Sequence, residues 1–255
     1  MSIFDSEIFN NNLFFPRRGG GQDADEMFVN AEQDVQIHVR RYPNQQAHFS
    51  ILYFHGNGEI VADYDDIEPM FRNIGCELIV CDYRGYGKSS GRSTLRNLLS
   101  DSHKVYEYLN EHNKLNKNHF IMGRSLGSAA AIELSSSVAS KIKGVIIESG
   151  YGDPCALAAR RGLQVDRLTP EERIFDNGEK IRDIDCPLLI MHGKEDRIIS
   201  VEEAQENYTN AKSKSKQIAI FEKVGHNDIL CFPQYFSTVG EFCNSAIKKE
   251  YYHDK

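Results

Sequence analysis

The chain has 255 residues, of which 40% are hydrophobic and 26% charged. That composition suits one globular domain and excludes disordered, collagenous and small disulfide-stapled classes. The formal charge of −7 removes the broad basic field that a nucleic acid or an anionic membrane would attract. The longest small and apolar stretch runs from Ser125 to Ser140 and contains Glu133, short of the about 20 residues of a membrane-spanning helix. The opening MSIFDSEIFNNNLFF has Asp5 and Glu7 where an export signal needs an apolar run, which points to a cytoplasmic protein with no integral membrane association. Six cysteines (76, 81, 155, 186, 231 and 243) form neither CxxC pairs nor a Cys/His cluster. They read as reduced thiols rather than metal ligands.

In chain order, residues 1–26 read as an N-terminal extension, with Gly19-Gly20-Gly21 a flexible loop entering the first strand. DEMFVNA and VQIHVRRY alternate polar and apolar residues and predict an antiparallel edge hairpin. HFSILYF, CELIVCDY, HFIMG, GVIIES, PLLIMHG and QIAIFEKV are near-continuously apolar, as strands covered on both faces are. Between them, Ile60, Val61, Tyr64, Ile67, Met70, Phe71 and Ile74 trace one helical face running through Pro69. Leu95, Leu98, Leu99, Val105, Tyr106 and Leu109 trace a second; residues 125–140, 201–210 and 228 to about 251 complete the helices. The pattern predicts a single α/β domain over residues 1–255, an eight-stranded, mostly parallel sheet flanked by helices. Residues from about 150 to 185 leave room for a short cap segment only. Leu157, Leu163, Val165, Leu168, Ile174 and Phe175 could roof a pocket there, and Arg160, Arg161 and Arg167 could charge its rim.

Gly123-Arg124-Ser125-Leu126-Gly127 follows the HFIM strand and leads into an Ala-rich helix. GxSxG arises by chance in roughly one chain in ten of this length, so the strand before and the helix after carry the reading: a nucleophile elbow that lifts Ser125 above the sheet edge. Nine histidines could serve as its base. An elbow site takes its base from the loop after the last strand, and VGHND places His226 there. The acid that orients it is Asp196 in MHGKEDRIIS, with Asp153 in ESGYGDP as the runner-up. His55-Gly56-Asn57-Gly58 closes the HFSILYF strand beside the elbow. The oxyanion donors are therefore assigned to the backbone N–H groups of Asn57 and Leu126, with Gly58 the substitute for Asn57. DYRGYGKS after CELIVC reads as a scaffold turn laced by Asp82 and Arg84.

HGNG, DYRGYGKS, GRSLG, HGKED and GHND, in that order, resemble the α/β-hydrolase superfamily, nearest its bem46-like and depalmitoylase-like branch, with FFPRR ahead of the first strands. The resemblance covers the chain from about Phe14 onward. It implies the α/β-hydrolase fold and a cofactor-free serine hydrolase with Ser125, Asp196 and His226 as its triad. The implied reaction is hydrolysis of a small-molecule acyl ester or thioester; dehalogenases and epoxide hydrolases of this fold use Asp as nucleophile. A peptidase-like acyl hydrolase is the alternative, and a ligand-binding receptor with a vestigial triad is the reading from a different class.

Overall fold

The edge hairpin and the six apolar runs form one sheet. A computed structural model describes residues 2–20 and 25–253, with side chains to residue 248. The strands are β1 (Asp25–Glu32), β2 (Val35–Tyr42), β3 (Phe49–Phe54), β4 (Cys76–Cys81), β5 (His119–Arg124), β6 (Gly144–Glu148), β7 (Leu188–Gly193) and β8 (Lys216–Phe221). Their spatial order is β1-β2-β4-β3-β5-β6-β7-β8. β1 runs antiparallel to β2 and β2 to β4, and every later pairing is parallel. β3 to β7 are buried along their whole length, because helices cover both faces of a parallel sheet.

The helices are α1 (Glu7–Leu13), α2 (Glu68–Asn73), α3 (Leu95–Glu111), α4 (Gly127–Val138), α5 (Pro154–Ala159), α6 (Asn177–Lys180), α7 (Val201–Asn210) and α8 (Tyr235–His253). α3 starts where the Thr94 side chain caps the Asn97 N–H and buries the predicted stripe from Leu95 to Leu109. Residues of α1, α3, α4, α5 and α7 share one core with the sheet, and residues of α2 and α8 pack against the opposite face.

Two predicted helices are interrupted, both at proline. Residues 59–74 form a 3₁₀ turn, Val61–Tyr64, and then α2, which places Pro69 in its first turn, where a missing N–H costs nothing. Met70 consequently faces solvent rather than the core. The stretch from Asp228 likewise begins as a 3₁₀ turn, Ile229–Cys231, and α8 starts only after Pro233.

The N-terminal segment is more than an extension. Ser6 caps α1, and Phe4, Phe9 and Leu13 are fully buried. Asn10 Oδ1 accepts the Leu95 N–H at 2.8 Å, and Phe4 packs on Phe175 at 5.1 Å between ring centroids. Gly21 of the predicted flexible loop lies outside the described residues. No helix among the described residues is long and apolar enough to cross a membrane.

Candidate active site

Because β3, β5, β7 and β8 run in parallel, the loops after them meet at one sheet edge. The GRSLG turn passes from β5 to α4 through Ser125 at φ +52°, a left-handed conformation rarely taken by a non-glycine residue. Its glycines are required by close approach. A Cβ on Gly127 would stand 2.1 Å from the Phe54 carbonyl oxygen, and one on Gly123 would stand 2.4 Å from that of Gly127.

His226 Nε2 lies 2.8 Å from Ser125 Oγ, and His226 Nδ1 lies 2.6 Å from Asp196 Oδ2. Asp196 Oδ1 accepts the N–H groups of Ile198 and Ile199 at 2.8 and 2.9 Å, which fixes the carboxylate plane. Burial pushes the Asp196 carboxyl up, but His192, His226 and the Ile199 N–H outweigh it and hold it well below the usual carboxylate range. Asp153 is elsewhere: its side chain caps α5 by accepting the Cys155 N–H at 2.7 Å.

A cavity of about 240 Å³ opens at Ser125, and Asn57, Leu126, Leu13, Leu157 and Ile199 stand among its walls. The N–H groups of Asn57 and Leu126 donate in none of the turn and loop hydrogen bonds of the described residues. The Asn57 side chain is clamped from both sides: Oδ1 accepts from Tyr86 Oη at 2.6 Å and from the Phe15 N–H at 3.0 Å, while Nδ2 donates to the Leu13 carbonyl at 2.5 Å. His55 Nδ1–H bonds the Gly56 carbonyl at 2.8 Å within the turn. Of the expected roof, Leu157 reaches the cavity, whereas Phe175 packs on Phe4 and Ile174 is exposed. In the DYRGYGKS turn, Asp82 binds His38 and the Val61 N–H rather than Arg84, and Arg84 pairs with Asp101 and Glu32. A larger, open depression of about 1380 Å³ lies by the N-terminal ends of β3 and β4, among residues such as Asn44, His48 and Gly75, away from Ser125.

One cluster escaped the sequence reading. Arg124 is buried beneath the elbow, paired with Glu59 and with Glu148 at 3.0 Å, and it reaches the His226 carbonyl and Asn227 Oδ1 at 3.0 and 3.2 Å. Glu59 in turn accepts the Gly56 N–H at 3.0 Å and the Tyr64 hydroxyl at 2.7 Å; Glu148 accepts the Tyr235 hydroxyl at 2.6 Å. Burial pushes the Glu148 carboxyl up despite its Arg124 partner. The sequence signal was a charged residue ending each of two buried strands, GR and IE.

The chain is 28% identical over 214 residues to alpha/beta hydrolase domain-containing protein 17B of Homo sapiens, covering 82% of this chain and 70% of that one. It is 28% identical over 200 residues to protein bem46 of Schizosaccharomyces pombe, covering 76% and 66%. Among solved structures, the Pyrococcus furiosus esterase Pf2001 superposes with a TM-score of 0.73 at 20% identity, covering 90% of this chain and 96% of that one. A Paleococcus ferrophilus monoacylglycerol lipase gives a TM-score of 0.65 at 20% identity, covering 82% and 99%. The fold is thus that of the α/β hydrolases. The family model Hydrolase_4, described as serine aminopeptidase, S33, matches residues 45–165 and 167–230, and on that match the chain belongs to this hydrolase family.

Proposed function

We propose that the chain is a serine hydrolase that cleaves a small carboxylic ester or thioester of short to medium acyl length through an acyl-enzyme. The observation that carries the reading is the continuous line from Ser125 Oγ through the His226 ring to Asp196, with contacts of 2.8 and 2.6 Å. In this reading His226 Nε2 takes the Ser125 proton as Oγ attacks the acyl carbonyl carbon, and the Asn57 and Leu126 N–H groups receive the oxyanion. Collapse expels the alcohol or thiol, protonated by His226, and leaves Ser125 acylated. Water, deprotonated by His226, then releases the acid. Asp196 holds the ring with Nδ1–H facing it and stabilises the imidazolium formed in each step.

A cavity of about 240 Å³ walled by Leu13, Leu157, Ile198 and Ile199 lies just below the usual range of ligand pockets, about 300–1,000 Å³, and suits a short acyl chain. An aminopeptidase needs a carboxylate for its substrate's α-ammonium group, whereas the charged residues on these walls are Arg160, Arg161 and Arg197. That favours the ester or thioester over the peptide.

The test is Ser125→Ala assayed with p-nitrophenyl butyrate. The expected loss is about 10⁴-fold or more with the fold intact by circular dichroism; activity within tenfold of wild type sinks the assignment.

A further inference from the structure

Arg160, Arg161 and Arg197 all reach the cavity at Ser125, but they differ in what neutralises them. Arg160 pairs with Glu203, which also accepts the Gly152 N–H at 3.0 Å. The side chains of Arg161, partly buried, and Arg197, exposed, make no ion pair or hydrogen bond among the described residues. The Arg161 guanidinium stands 5.4 Å from the centre of the Phe15 ring, and its Nε is buried with no acceptor. Burial, followed by repulsion from Arg160, lowers its pKa, the opposite of what a carboxylate neighbour does.

The three buried guanidiniums among the described residues are all held by carboxylates. Arg40 is held by Glu26 and Asp65, Arg84 by Asp101 and Glu32, and Arg124 by Glu59 and Glu148. Each has two carboxylates, as the cost of removing a cation from water demands. Arg161 is only partly buried, yet it stands on a wall of the cavity at Ser125 with its Nε buried and no carboxylate among the described residues beside it. Its surroundings are Phe15, Arg160 and Tyr86, and the Tyr86 hydroxyl is already engaged with Asn57. No acceptor among the described residues meets its Nε, so an oxyanion carried by a ligand can take the place of water at this guanidinium. A guanidinium is the side chain best shaped for a planar or tetrahedral oxyanion.

Resting on the serine-hydrolase reading, we infer that Arg161, assisted by Arg197, binds an anionic oxyacid group, carboxylate or phosphate, that the substrate carries close to its scissile bond. The substrate class is an acidic ester or thioester rather than a neutral lipid. The anion can sit on the acyl part or on the leaving group, and the experiment separates the two.

Two pairs of substrates, each measured in three proteins, decide it. The mono-p-nitrophenyl ester of adipic acid is compared with its neutral methyl diester, and 4-(butyryloxy)phenyl phosphate with p-nitrophenyl butyrate, in wild type, Arg161→Gln and Arg161→Lys. The readout is the ratio of kcat/KM for the anionic over the neutral substrate. In wild type one of the two ratios is expected to be about tenfold or more, the scale of one hydrogen bond to a charged group, and to fall as salt is raised. It should collapse toward unity in Arg161→Gln and persist in part in Arg161→Lys, whatever happens to the neutral rate. Ratios near unity in wild type, or a ratio unchanged in Arg161→Gln, overturn the inference while leaving the hydrolase reading standing. If no ester is cleaved faster than by Ser125→Ala, that reading fails instead. Calorimetric binding of adipate and of inorganic phosphate then tests the anion site directly, with no binding in wild type as the overturning result.

Discussion

Arg124 donates from Nη2 to the backbone carbonyl oxygen of His226 at 3.0 Å. The residue next to the proposed nucleophile thus holds the loop of the proposed base, and through Glu59 and the Gly56 N–H it holds the Asn57 loop as well. Arg124→Met leaves Glu59 and Glu148 facing each other without a cation. Breaking such a buried cluster costs about 3–5 kcal/mol, to be read from urea unfolding. Adding Glu148→Gln to that variant is expected to recover part of the loss. A loss under about 1 kcal/mol means that the cluster contributes little to folding.

Asp196 and Asp153 separate cleanly by substitution. Asp196→Asn keeps the shape but turns the acceptor facing His226 Nδ1 into an amide, so turnover is expected to fall about 10⁴-fold. Asp153→Asn retains a capping side chain on α5 and is expected to leave turnover within a few-fold of wild type. Ester hydrolysis by both variants, at saturating substrate, checks this; the reverse pattern moves the acid to the loop after β6.

Asp82 predicts an acid limb in stability. Burial pushes its carboxyl up, but His38 at 2.6 Å, then His55 and the Val61 N–H outweigh it and bring it down to about 2. An unfolded Asp titrates near about 3.9. The folded chain therefore takes up this proton less readily than the unfolded one. Its contribution is full above about pH 4 and is lost as the pH falls toward about 2. Between those limits wild type is expected to lose about 2 kcal/mol more than Asp82→Asn. Parallel stability curves for the two proteins contradict it.

Leu13 gives a handle on chain length. It is fully buried yet lines the cavity at Ser125, so Leu13→Ala enlarges the pocket at a cost of about 2–5 kcal/mol in stability. With p-nitrophenyl esters below micellar concentrations, wild type is expected to peak at short to medium chains and Leu13→Ala to shift toward longer ones. Wild-type kcat/KM rising steadily from acetate to palmitate refutes the short-chain reading.

All eight strands were legible from residues alone, because each is a short apolar run bounded by turn residues, and the edge hairpin announced itself by alternation. The elbow was legible because steric demand writes glycines at fixed spacing around Ser125. What stayed hidden is what depends on distant pairing. Arg124, Glu59 and Glu148 belong to three separate motifs, and no local pattern says that their charges meet. The integration of the N-terminal segment was missed because its apolar residues, Phe4, Phe9 and Leu13, lie among Asn and acidic residues that read as a polar tail. The helix breaks at Pro69 and Pro233 were written in the sequence, but the apolar periodicity on either side masked them.

The burial of Phe4, Phe9 and Leu13 also sets an order of events during synthesis. Their partners are made late: Asn10 waits for Leu95, Phe4 for Phe175, and Ser2 for Glu172, whose carboxylate it meets at 2.7 Å. Translation at about 5–20 residues per second leaves those rings without a core for roughly ten seconds or more. The wall of the cavity is thus among the earliest parts made and the last to find its seat, so the pocket closes only after most of the sheet exists. A bulky fusion placed just ahead of Ser2 would act at that step, slowing completion of the cavity more than assembly of β3 to β7.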